Sequence, residues 1–186
     1  MLYVVIICFC ALVISIIITL ACNVGFLYAL GVTALAVAIV VLLDALVATC
    51  ARLLPKSCAD YTKQCFSVSN KEKKFYEKLK IRKWKDRIPE IGHFTGFRKN
   101  KLDDPKNVEY VDRFLLECCY GEIGHFFSAF FGFFLLLFFF ITDIWIAIAL
   151  PVAIINGLLN LPSLFILRYN SYKLKILRKS LVKKQA

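Results

Sequence analysis

No acidic or basic residue occurs before Asp44, and none lies between Phe126 and Ile141. Uncharged stretches of that length do not belong to a water-soluble globule. They exclude a secreted enzyme, a disordered tail and a single soluble α/β domain. The chain also lacks a Cys-x-x-Cys pair, a Gly-rich phosphate loop, a Ser nucleophile elbow and a His-Glu-x-x-His site. With them go the usual signatures of structural zinc, nucleotide hydrolysis, serine hydrolysis and zinc proteolysis. The N-terminus has no basic region, and its apolar run exceeds the roughly 7–15 residues of a signal-peptide core, so it is expected to remain as a span.

What is present is apolar. Hydrophobic residues make up 60% of the 186, against roughly 45–50% in soluble domains, and they concentrate in Met1–Leu54 and Phe126–Leu167. Leu2–Ala21 has the roughly twenty residues needed to cross about 30 Å of hydrocarbon. Asn23 and Gly25 supply a turn, and Phe26–Leu46 runs back toward Arg52 and Pro55. The second block is too long for one crossing, and Asp143 divides it into Phe126–Ile141 and Ile144–Leu167. The expected fold class is an all-α integral membrane protein with four transmembrane helices in two hairpins and a helical, basic cytosolic or interfacial segment. The expected parts are residues 1–54 (first hairpin), 55–122 (basic segment), 123–167 (second hairpin) and 168–186 (basic tail).

Charge placement orients these spans. Lys and Arg number 24 against 13 Asp and Glu, a net charge of +11. Every base is Arg52, or lies in Lys56–Arg113 or in Arg168–Lys184. Counted at the span ends, this puts both termini and the central segment in the cytosol, N-in and C-in. Anionic headgroups and phosphate-bearing ligands explain such a distribution better than nucleic acid does. The eight cysteines sit in spans or on the reducing side, so a disulfide framework is not expected. Zinc at Cys58, Cys65, Cys118 and His125 has no supporting spacing, and no metal is expected.

Asn70–Ile88 contains no Gly or Pro and reads as helix. Phe75, Tyr76 and Leu79 share one face while Ile81, Trp84 and Ile88 fall nearly opposite, so a bend near Lys80 or a helix wedged between membrane and protein is expected. Trp84 among Arg82, Lys83, Lys85 and Arg87 suits an interfacial anchor; a merely solvated basic helix is the alternative. Pro89, Gly92, Gly96 and Pro105 mark irregular chain around His93. In the first hairpin Asp44 is an intramembrane carboxylate, a functional candidate or a plain interfacial acid. The last span carries Pro151, Asn156, Gly157, Asn160 and Pro162. The two asparagines share a face that should look into protein or a polar cavity.

Chemistry collects in Glu117-Cys-Cys-Tyr-Gly-Glu122-Ile-Gly-His125. Three residues apart on a helix, Glu122 and His125 lie one above the other. A carboxylate beside an imidazole stabilises its cation, which suits a general base taking a hydroxyl proton. Glu117 is a second orienting candidate. The alternative is a set of interfacial acids with a capping histidine. An antiparallel second hairpin brings this stretch near Arg168-Tyr169-Asn170, with Asn160 roughly 12 Å deeper than Arg168. The Arg168 fork can clamp a phosphate or carboxylate, or act only as a positive-inside stop.

These pieces resemble the glycosyl-4,4′-diaponeurosporenoate acyltransferases, small bacterial membrane proteins of staphyloxanthin-type glycolipid synthesis. The likeness rests on Arg82-Lys-Trp84-Lys85, Gly92-His93, the Glu117/Glu122/His125 stretch, and Asn160-x-Pro162 followed by Arg168-Tyr169-Asn170, in that order across Phe75–Leu174. It implies a multi-pass protein of the bacterial cell membrane that moves a fatty acyl group to a hydroxyl of a lipid or glycolipid acceptor. No cofactor is implied beyond an acyl-CoA or acyl-carrier thioester as co-substrate. His125 oriented by Glu122 would be the base, with His93 as the alternative base or an oxyanion contact. Bases near Arg82 and Arg168 would hold donor phosphates. The acceptor and oligomeric state stay open. Two other readings compete: a non-enzymatic membrane subunit or anionic-lipid scaffold, and a small transporter, for which Asp44 alone is thin support.

Overall fold

A computed structural model describes residues 2–88 and 102–185, with the side chain of Leu2 excepted. His93 and Gly92 lie outside the described residues. Among those described there are helices and turns but no strand, and four helices are long and apolar enough to cross a membrane. The chain is an all-α membrane protein. Helix α1 spans Leu2–Cys22 and α2 spans Phe26–Leu53. Between them Asn23 adopts a left-handed conformation, φ 53°, which asparagine tolerates better than other side-chain-bearing residues.

The stretch read as one helix over Asn70–Ile88 is three pieces: α3 (Asn70–Lys78), α4 (Ile81–Trp84) and a 3-10 turn, Lys85–Arg87. The bend expected near Lys80 is real, because Lys80 is left-handed at φ 52°, ψ 39°. That reversal reconciles the two opposed apolar faces: Tyr76 and Ile81, on opposite sides of a straight helix, are buried in one cluster with Ile166 and Tyr169. Helix α3 is capped by Ser69, whose hydroxyl accepts the Glu72 amide at 3.1 Å.

Helix α5 starts well before the apolar run, at Val108, and continues to Phe131, followed by a 3-10 helix over Gly132–Phe138. Helix α6 runs from Trp145 to Gln185, passing Pro151 and Pro162 without a break and carrying the basic tail as helix.

The chain divides into two compact units. The first comprises Met1–Thr49 and Phe126–Leu161. Its interior joins Ile14, Ile18, Ala29, Ala36, Leu135, Trp145 and Ile148, while its outside is equally apolar, with Leu20 79% exposed and Phe9, Leu27, Leu42 and Phe140 also bare. Apolar residues on both sides suit a body solvated by lipid. Helices associate there through small residues and hydrogen bonds, since lipid is as apolar as leucine. Ala29 and Ala36 are fully buried, and Ser15 bonds Thr33 at 3.2 Å.

A polar cluster in this unit surrounds Asp44. Its Oδ1 accepts from Asn156 Nδ2 at 3.2 Å and its Oδ2 from Asn160 Nδ2 at 3.3 Å. Asn156 also donates to the Ser128 carbonyl at 3.1 Å. A Cβ at Gly132 would stand 3.0 Å from Asn156 Nδ2, so that glycine makes room for the amide. The shared face expected of Asn156 and Asn160 is directed inward, onto the carboxylate. Removing Asp44 takes one acceptor from each carboxamide, which keep their bonds to the Ser128 and Asn156 carbonyls. Asp44→Ala and Asn156→Ala are each expected to lower stability, and the pair to show a coupling of about 0.6–1.7 kcal/mol, the measured range for interhelical bonds in membranes. Reversible unfolding of the four proteins of that cycle in detergent tests it; strict additivity would remove the bond's energetic role.

Candidate functional site

The second unit comprises Cys50–His125 and Pro162–Ala186. Within it α5 and α6 run antiparallel: Asp112 meets Arg178, and ten residues on, Glu122 meets Ser171. Gly121 permits the close approach, since a Cβ there would fall 2.8 Å from a Leu167 methyl. Val111, Phe114, Leu115, Leu167 and Leu174 fill the interface.

Arg168 stands at the centre. Its Nε and Nη2 grip both oxygens of Glu72, its Nη1 reaches Glu122 Oε2 at 3.0 Å, and its Nη1 and Nη2 donate to the Cys65 and Ser67 carbonyls at 3.1 Å each. A guanidinium has five N–H donors, and these five bonds use them all. The fork that sequence offers to a substrate phosphate is therefore filled by protein acceptors. It joins α6 to α3, to α5 and to the 65–67 backbone.

Glu122 is only 3% exposed. Its second oxygen accepts the Ser171 hydroxyl at 2.9 Å, so both oxygens are bound and the carboxylate is rigidly placed. His125 follows one turn later on α5, partly exposed. Glu72 is held from the other side by the Tyr76 hydroxyl. Burial pushes the Glu72 carboxyl up, but hydrogen bonds from Arg168 and Tyr76, the guanidinium charge and the Ser69 backbone outweigh it and hold it below the ordinary range. The same burial, with Glu72 beside it, pushes the Tyr76 phenol well above its usual value. Both groups therefore keep one protonation state at neutral pH, as a structural network requires.

The remaining candidates are placed as follows. Glu117 lies 3.2 Å from Arg52 Nη1 and lines an open cleft of about 850 Å³ with Lys56, Tyr61 and Arg113. Trp84 donates its indole N–H to the Leu79 carbonyl at 2.9 Å, a contact that closes the turn at Lys80. Lys85 Nζ is 3.5 Å from Asn170 Oδ1. Tyr169 is buried, with Lys173 Nζ 4.7 Å above its ring. Arg82 is exposed and lines a smaller cavity with Tyr169. Asn160 belongs to the other unit, on Asp44. Among the described residues no three His, Cys, Asp or Glu side chains form a metal-binding group.

Sequence reasoning missed Glu72 and Ser171, and read Tyr76 only as part of an apolar helix face. The first had a legible signal, the Ser69-x-x-Glu72 capping box ahead of Phe75 and Tyr76. Ser171 directly follows the Arg168-Tyr169-Asn170 run, but nothing local marks its partner.

Four helices long and apolar enough to span, with α5 and α6 joined through a carboxylate–guanidinium hub, define a helical membrane protein. The profile of the family described as CrtO, glycosyl-4,4′-diaponeurosporenoate acyltransferase, matches residues 59–180. The chain belongs to that family, and is accordingly an acyltransferase of glycolipid synthesis. No curated protein and no solved structure matches it.

The hub sets an order of severity. Arg168→Ala strands two carboxylates, one of them buried, and is expected to cost about 3–5 kcal/mol. Ser171→Ala removes one neutral donor and should cost about 1 kcal/mol. Chemical unfolding in detergent measures both; equal losses would contradict a central Arg168.

Proposed function

We propose that the protein transfers a fatty acyl group from an activated thioester to a hydroxyl of a glycolipid acceptor, with His125 as the general base. The observation that carries this reading is the rigid Glu122 one turn before His125. In the reaction the acceptor oxygen attacks the thioester carbonyl while the imidazole takes the hydroxyl proton. The tetrahedral intermediate then collapses, the C–S bond breaks, and the imidazolium returns the proton to the departing thiolate. Ester and free thiol are the products. Glu122 favours the imidazolium by its charge, while Arg168 and Ser171 keep that charge in place. Arg168 is thus a positioning residue rather than a substrate clamp. His93 would supply a second polar contact.

Comparative lipid mass spectrometry of cells expressing wild type or His125→Ala at matched levels tests the assignment. A species heavier by one acyl group should appear with wild type alone. Equal amounts of that product from both proteins would eliminate His125 as the base. Its absence from both, in a host holding donor and acceptor, would favour the lipid-scaffold reading.

The second unit is proposed to face the cytosol, where thioester donors are made. Its support is the confinement of Lys and Arg to this unit under the positive-inside rule. Cys58 and Cys65 are exposed thiols there. A membrane-impermeant maleimide should label them in inverted vesicles and spare them in intact cells; the opposite pattern would reverse the topology.

A further inference from the structure

Apart from the hub, the second unit holds a cavity of about 310 Å³ between α3, the Lys80 reversal and α6. Four of its lining residues are bases, Lys73, Lys80, Arg82 and Lys173, against one acid, Glu77. The acid already pairs with Lys73 at 3.8 Å. The larger cleft differs in kind: it mixes Lys56 and Arg113 with Asp60, Asp112 and Glu117, so it has no preference for anions.

Two of the bases are oriented by aromatic rings, while Lys80, Arg82 and Lys173 are open to solvent and so to a ligand. Lys73 lies over the Tyr172 ring at 5.4 Å and Lys173 over the Tyr169 ring at 4.7 Å, each a cation–π contact that orients an ammonium. Lys80 is placed by its left-handed backbone, a conformation that a lysine rarely adopts and that needs support from its surroundings. Here the support includes the Trp84 indole on the Leu79 carbonyl. The volume is at the small end of ligand pockets, roughly 300–1,000 Å³. It accommodates a phosphoryl or diphosphoryl group, not an entire nucleotide with its acyl chain.

We infer that this cavity is a phosphate-binding subsite for a diphosphate-type group, the anchor that holds a nucleotide-borne acyl thioester on the enzyme. The inference rests on the proposed function and deepens it, placing the donor's anionic end on Lys73, Lys80, Arg82 and Lys173 in place of Arg168. The same chemistry is carried by the headgroup of an anionic phospholipid, and the experiment separates the two sources.

The probes are coenzyme A and inorganic diphosphate, titrated calorimetrically into the full-length protein in phosphatidylcholine nanodiscs. Both should bind, with affinity falling as salt rises. Arg82→Gln with Lys173→Gln should weaken binding about tenfold or more, the loss expected when charge-assisted hydrogen bonds are removed. Lys184→Gln, outside the cavity, should not, and unchanged thermal midpoints would confirm that the variants fold. No binding of the soluble probes, with phosphatidylglycerol in the disc raising the thermal midpoint of wild type but not of the double variant, would assign the phosphate subsite to a lipid headgroup and overturn its role as donor anchor. Binding indifferent to the double substitution would overturn the subsite itself. His125→Ala should bind both probes like wild type. Transfer retained by that variant would overturn the base assignment and leave the subsite standing, so the two failures are distinguishable.

Discussion

An arginine taken largely out of water must find an acceptor for every N–H, and Arg168 finds five in protein. The requirement organises the second unit. Two carboxylates approach one cation from α3 and α5, and the backbone at Cys65 and Ser67 is drawn in to complete the set. Breaking any one contact leaves a partner desolvated and unpaired, which costs more than the bond itself contributes. The middle of α5 inherits its placement from this network, since Arg168 and Ser171 hold both oxygens of Glu122.

The two units solve the burial of a carboxylate differently. Glu122 has a cation and a hydroxyl. Asp44 is met by the neutral amides of Asn156 and Asn160, which bond it without introducing a cation into an apolar body. Neutral partners also tie their helices together at modest strength, in keeping with interhelical hydrogen bonds in lipid.

Much of the fold was legible because it follows from solvation: charge-free runs long enough to span, bases beyond their ends, and asparagines four apart on one face. The Glu122–His125 spacing was equally visible, being local. Arg168 and Glu72 are 96 residues apart, and no periodicity links them, so the fork looked open to a phosphate when it is filled. Helix lengths were underread for a related reason. Hydropathy marks where lipid ends, not where a helix does. Both α5 and α6 continue in polar sequence because pairs such as Asp112 with Arg178 still join them. The bend near Lys80 was legible from the opposed apolar faces on either side of it; the Trp84 bond to Leu79 that closes the turn was not.

The 3-10 segment Gly132–Phe138 bears on how the chain matches a bilayer. Sixteen or so residues from Phe126 would reach only about 24 Å as α-helix, short of roughly 30 Å of hydrocarbon. A 3-10 helix rises about 2.0 Å per residue instead of about 1.5 Å, so its seven residues recover about 3.5 Å of that shortfall. It also brings side chains three apart into line, and Phe131 and Phe134 at its start stack at 4.9 Å with only 21° between their planes. Stretching the backbone thus relieves hydrophobic mismatch where a longer segment or a thinner membrane would otherwise be needed.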